Sequence, residues 1–396
     1  YIPELDQLRG VAALLVLVFH AIASTEVVNR YLGTDARGVP IAENAAELIA
    51  ANGFTGVALF FVISGFIFTW GALQAAKFDW KSFFVNRVLR IYPLYILLVM
   101  AAVFLNYGQV TILQVVQYLA GFGNLSAAMT QFDVVLWTIS VEMQFYLIFP
   151  FLVLLLKKQG VKYLFGMIAV MVMLRLIARG TGMDLHNPVY WTLFGRLDQF
   201  LIGMILAWYV HKQGWLSGAV TAVRNRVPTL NLVAGLICAS SIFLALTRFY
   251  TEKGWKSGNS VLLVGWPTIE AGMWAVIGIF YVAIARRVPA RILRPLQFVG
   301  MISFSLYLLH YPILKALYRS GLVINIPDHS FLSGLATTGL VLLPLSVAAA
   351  TLTFYVIEKP PLALRRRYVQ PVTRDQHLAT LYGLHMESDR PSASTP

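Results

Sequence analysis

The chain of 396 residues is 58% hydrophobic and only 12% charged, with a mean hydropathy of +0.70, which excludes an ordinary soluble globule and fits a polytopic membrane protein. Its formal charge of +13 forms no continuous basic stripe, because lysines and arginines fall between apolar runs, so no nucleic acid is expected as a partner. One cysteine, Cys238, excludes an intramolecular disulfide and a cysteine metal cluster.

Apolar segments long enough to span a bilayer, each bounded by charge or turn residues, run near 8–24, 54–72, 91–106, 133–156, 161–178, 190–210, 230–247, 262–285, 296–318 and 331–357. They predict an all-α integral membrane protein of ten transmembrane helices. The first run imitates a signal peptide, but Glu4 and Asp6 make its start acidic and an equally hydrophobic chain follows, so it is read as a retained span. A weaker apolar stretch at 111–122 is placed along the interface. Lysines and arginines crowd every second loop: Lys77 to Arg90, Lys157 to Lys162, Lys212 to Arg226, Arg286 to Arg294, and Lys359 to Arg367. The positive-inside rule therefore predicts that these loops and both termini are cytoplasmic, a pattern diluted only at 248–260 by Arg248, Lys253 and Lys256. Residues 1–360 are read as one membrane domain and 361–396, ending DRPSASTP, as a polar, partly disordered cytoplasmic tail.

Ionisable groups within such spans are costly and tend to face a cavity. In LRGVAALLVLVFH, residues 8–20, Arg9 and His20 are eleven positions apart, which is three helical turns plus about 20°, so both leave one face roughly 16 Å apart along the axis. Arg9 has a simpler reading as a snorkelling anchor, and His20 as a packing residue. In RVLRIYP, residues 87–93, Arg87 and Arg90 lie one turn apart and make a phosphate-sized patch, although the positive-inside rule alone would also supply them. LWTISVEMQFYLIFP, residues 136–150, carries Glu142 near mid-bilayer with Thr138 and Tyr146 on the same face, and Ser140 and Gln144 nearby. In FGRLDQFLIG, residues 194–203, Arg196 and Asp198 cannot face each other, so each needs a partner on another helix. ISFSLYLLHYP, residues 302–312, places Ser303, Tyr307 and His310 in a stripe, and Glu270 near Pro267 is a further orphan charge, with Pro267 expected to kink its helix.

The chain has no phosphate-binding glycine loop, no HExxH zinc pair and no GxSxG elbow, and no metal is expected. The glycine in FFVISGF, residues 60–66, is assigned to close helix packing.

Together these segments resemble the membrane-bound acyltransferase 3 family, from LDQLRGVAALLVLVFH to YVIEKP. Arginine, ten residues, histidine in the first span is that family's most characteristic feature, and FFVISGF, RVLRIYP, WTISVEMQFY, GRLDQFLIG and SFSLYLLHYP are similar to its further motifs in the same order. The resemblance implies an O-acetyltransferase of the bacterial inner (cytoplasmic) membrane that takes acetyl-CoA as co-substrate from the cytoplasm. Its acceptor would be a hydroxyl of an extracytoplasmic polysaccharide, such as an exopolysaccharide, or of a lipid-linked glycan. On that reading Arg9, Arg87 and Arg90 hold the donor's phosphates, and the thioester arm reaches inward along the first helix to His20. His20 deprotonates the acceptor or takes the acyl group, and Glu142 orients the imidazole. Tyr146, Arg196, Asp198, Ser303, Tyr307 and His310 are substrate-binding or structural polar groups, with Tyr307 and His310 toward the acceptor. Some family members carry a fused esterase-like domain, to which nothing here is similar.

Two alternatives stand beside this reading. Intramembrane Arg, Asp, Glu and His also suit a secondary transporter, although no inverted repeat is visible. An acyltransferase acting on a non-glycan small molecule is the other. The sequence carries no signal for oligomeric state.

Overall fold

Pro3 opens helix α1 (Pro3–Ile22) at a position where its missing N–H costs nothing, and Glu4 and Asp6 complement the positive end of the helix dipole. In this computed structural model residues 2–24, 27–35, 40–125, 133–212, 227–255, 259–366 and 368–371 are described. Short helices α2 (Val28–Tyr31) and α3 (Ala45–Ala51) follow, then the long α4 (Gly56–Gln74). Helix α5 (Trp80–Leu105) begins eleven residues before the expected span, because Asp79 caps it. Its carboxylate accepts from the Ser82 amide at 3.3 Å and the Ser82 hydroxyl at 2.5 Å. Those hydrogen bonds hold the Asp79 carboxyl below its ordinary pKa. Arg87 and Arg90 thus sit inside a helix that continues through Pro93.

The interfacial stretch forms α6 (Ile112–Leu119), closed by a reciprocal capping box between Thr111 and Gln114 and exposing Ile112, Leu113 and Val116. Then come α7 (Asp133–Gln159), α8 (Val161–Gly180), the short α9 (His186–Trp191), α10 (Leu193–Lys212), α11 (Thr229–Tyr250) and α12 (Val261–Ala285). Pro267 lies within the continuous α12.

The ninth expected span is not one helix. It divides into α13 (Ala290–Met301) and α14 (Ser303–Ser320), bent by 66° where Ile302 leaves helical geometry at φ −90°, ψ 6°. The last span, α15 (Ser330–Leu362), contains two wider π-helical stretches, Thr338–Leu342 and Phe354–Glu358. Each precedes proline, Pro344 in one case and Pro360 and Pro361 in the other, whose absent N–H groups interrupt the ordinary ladder. Among the described residues nine helices are long and apolar enough to cross a membrane, and the bent pair makes a tenth.

The protein is an all-α integral membrane protein with one small addition. Strands β1 (Ala75–Phe78) and β2 (Val369–Pro371) pair antiparallel, and Asn86 clasps the backbone of Arg366 through bonds of 2.7 and 2.9 Å. Of the tail expected at 361–396, the part up to 371 other than residue 367 is described and the remainder lies outside the described residues.

Helices α4 and α10 form the most extensive pair. A Cβ on Gly65 would strike the Phe200 carbonyl, and one on Gly203 the Val62 carbonyl, so glycine is what lets these backbones touch. Gly65 of FFVISGF therefore serves packing. Helix α1 packs against α4 and is flanked by both limbs of the bent segment. Helices α8 and α11 lie outside and expose large apolar residues such as Leu174, Ile177, Ile237 and Phe249, the surface expected to face lipid.

Candidate active site

Polar side chains from α1, α4, α5, α7 and α14 meet in one cavity. It encloses about 870 Å³ of space free of protein atoms, counting its open mouth, and its polar lining is Arg9, Ser64, Arg87, Arg90, Thr138, Glu142, Tyr146, Ser303 and Tyr307. Four-residue spacing on α7 and α14 puts Thr138, Glu142 and Tyr146, and Ser303 and Tyr307, on the facing sides of their helices.

The cavity is rich in positive charge. Arg87 lies over the rings of Phe68 and Phe83, 4.8 and 5.5 Å from their centroids, and its Nε has no hydrogen-bond partner among the described residues. Arg9 makes a long contact with Asp6, at 3.9 Å. Glu142 accepts a hydrogen bond from the Ser64 hydroxyl at 3.0 Å. Two groups that sequence reasoning did not single out complete the setting. Glu358, in the YVIEKP segment, is fully buried, accepts from the Ser305 hydroxyl and feels the charges of Arg90 and Arg9. Arg365 is pushed to a lower pKa by partial burial and by the like charge of Arg87 nearby. Both follow the last apolar run, where a charge at a span end reads as an anchor. Only the returning chain brings them to α5.

His20 pairs with another histidine. Its Nδ1 stands 2.9 Å from Nε2 of His310, and Nδ1 of His310 stands 3.1 Å from the Leu306 carbonyl oxygen. The edge of Tyr311 packs on His20, and Tyr307 packs beside His310. The side chain hydrogen-bonded to His20 is thus His310, whereas Glu142, expected beside the imidazole, lines the cavity with the arginines and accepts from Ser64. His20 is also absent from the wall of the arginine cavity. Tyr307 adjoins both: it lines the cavity, with its hydroxyl 3.1 Å from that of Thr138 and its ring edge-on to Phe60, and it packs beside His310.

Arg196 and Asp198 do find partners on other helices, as their spacing requires. Arg196 binds Glu270 of α12 at 3.2 Å, where Gln199 also donates at 2.8 Å, and it stacks on Tyr190 at 4.6 Å. Asp198 binds Arg175 of α8 at 2.6 Å and accepts from Thr268 at 2.5 Å. Arg175, the largest fully buried side chain, was not apparent from MVMLRLIARG, where it reads as one more residue near a span end. These pairs lie apart from the arginine cavity and tie α8, α10 and α12 together.

A larger groove between α1, α4, α10, α11 and α12 is almost wholly apolar. Asn231 and Arg286 are its polar exceptions, and Arg286 is bound to Glu4 at 3.0 Å. Its described lining carries no histidine, carboxylate or hydroxyl.

A peptidoglycan O-acetyltransferase OatA of Listeria monocytogenes is 25% identical over 350 residues, covering 79% of this chain and 49% of the relative. An O-acetyltransferase OatA of Staphylococcus aureus is 25% identical over 349 residues, 79% of this chain and 51% of the relative. A putative O-acetyltransferase of S. aureus strain COL is 24% identical over 394 residues, 91% of this chain and 57% of the relative. The chain spans about half the length of the curated relatives it matches. No solved structure matches it. The family model described as an acyltransferase domain matches residues 2–358, a range that takes in α1 with Arg9 and His20, the cavity between α4, α5, α7 and α14, and the buried Glu358; the chain belongs to this acyltransferase 3 family.

Proposed function

We propose that the protein is a membrane O-acetyltransferase that moves an acetyl group from acetyl-CoA to a hydroxyl of a cell-surface glycan or lipid-linked glycan. The observation that carries this reading is the convergence of Arg9, Arg87 and Arg90 in one cavity whose far wall, at Tyr307, adjoins the His20–His310 pair. The donor's phosphates suit the guanidiniums, which make charge-assisted hydrogen bonds and are always ionised. A cytoplasmic position for that mouth accords with the basic loops, and an acceptor entering near His20 accords with its place three turns along α1. The names of two relatives support acetyl transfer, and that of the Listeria protein supports peptidoglycan or a related polymer as acceptor.

In the proposed reaction the acceptor oxygen attacks the thioester carbonyl carbon while its proton passes to His20. The carbon–sulfur bond then breaks, and the thiolate leaves as CoA thiol after taking the proton back, so that His20 ends as it began.

Purified protein incubated with acetyl-CoA and candidate glycans, followed by mass spectrometry of the products, tests the reading. Acetylated glycan is expected from the wild type. His20→Ala should lose about 10²- to 10⁴-fold in rate while still inserting in membranes. Wild-type protein in sealed vesicles that takes up solute without acetylating any acceptor would instead identify a transporter.

A further inference from the structure

We infer that His310 is a positioning residue: it fixes the tautomer of His20 so that Nε2 of His20 carries the free lone pair. This rests on the proposed role of His20 as the base, and it specifies which nitrogen does the work.

Three atoms in a row fix where the protons lie. The Leu306 carbonyl oxygen can only accept a hydrogen bond, so the His310 Nδ1 facing it at 3.1 Å carries a proton. In a neutral ring, His310 Nε2 then has a lone pair. That lone pair faces His20 Nδ1 at 2.9 Å, so the shared hydrogen belongs to His20 Nδ1. What remains on His20 is an unprotonated Nε2.

Accessibility assigns the two roles in the same order. His310 is 1% exposed and His20 7%, and the rings of Tyr311 and Tyr307 pack against the pair. His20 is the less buried member. A carboxylate is the commoner orienting group, and it would also neutralise the imidazolium formed when the base takes a proton. Among the described residues no carboxylate is hydrogen-bonded to either ring. An imidazole supplies the acceptor atom without the negative charge. It selects the tautomer while leaving His20 ready to return its proton to the departing thiolate.

Solid-state ¹⁵N NMR of the full chain in bilayers, with histidine labelled, reads the tautomer without any catalytic assay. The His20 signal is assigned by its loss in His20→Gln. In the wild type it should show a protonated Nδ1 and a bare Nε2. His310→Gln, whose amide oxygen can take the place of Nε2, should keep that pattern, and His310→Phe should lose it. In parallel, His310→Phe should lower kcat about 10²-fold or more with the KM for acetyl-CoA unchanged, and His310→Gln should recover most of the loss. A wild-type His20 protonated on Nε2, a His310→Phe variant with wild-type kcat, or equal losses in both variants would overturn the assignment. If instead His20→Ala acetylates at the wild-type rate, the catalytic reading fails while the tautomer measurement still stands or falls by itself.

Discussion

At the scale of single residues, charge decides what the cavity can hold. Three arginines line it and Glu142 is the acidic residue in its wall. A hydrogen bond to a charged group contributes about 1.5–3 kcal/mol, and 1.4 kcal/mol is a tenfold change in affinity. Arg87→Gln should therefore raise the KM for acetyl-CoA roughly tenfold or more in initial-rate measurements, with little change in kcat. Unchanged KM would remove Arg87 from donor binding. Most of these residues were legible in the sequence, because helical spacing alone puts Arg9 with His20, Glu142 with Thr138 and Tyr146, and Ser303 with Tyr307. What spacing cannot give is the partner. His20 and His310 are separated by 290 positions, and the sequence sets Glu142 beside the imidazole, whereas in the fold it accepts from Ser64. Glu358 and Arg175 escaped for the same reason, since each looks like a charge at a span end until another helix closes over it.

At the scale of elements, the buried ion pairs explain how α8, α10 and α12 hold together in surroundings where apolar contact with a neighbour is little better than contact with lipid. Both side chains of the Arg175–Asp198 pair are fully buried. Removing one partner leaves an uncompensated charge, so Arg175→Met should destabilise the protein by about 3–5 kcal/mol. The double variant Arg175→Met with Asp198→Leu should recover a large part of that loss. Thermal unfolding in detergent measures both, and a double variant no more stable than the single one would show that the pair does more than balance charge. Apolar run length predicted the spans well, whereas their ends and interruptions were less visible. A cap at Asp79 lengthened α5, and the elbow at Ile302 depends on how α13 lies across α1, which hydropathy does not encode.

At the scale of the whole molecule, the count of spans was readable but the small ribbon was not. Strands of four and three residues carry too little pattern to announce themselves, and β2 pairs with a segment almost three hundred residues earlier. Orientation is a separate matter, because it depends on loop charge and a membrane. Cysteines introduced singly at Ser260 and at Arg291, in a variant with Cys238 replaced by serine, should be labelled from opposite sides of right-side-out vesicles by a membrane-impermeant maleimide. Position 260 should react from outside and position 291 only after permeabilisation. The reverse pattern would invert the proposed route of the donor.

The elbow at Ile302 has one more effect. Its first limb meets α1 near Gly10, where a Cβ on Gly300 would collide with the Asp6 carbonyl, and its second limb meets α1 near the far end, where the Tyr318 hydroxyl donates to the Ala21 carbonyl at 2.9 Å. One stretch of chain thus grips the first helix like a pair of callipers, at the level of Arg9 and again at the level of His20. The distance between Arg9 and His20 is held at both ends by that grip, so on the proposed reading donor and acceptor meet across a fixed gauge.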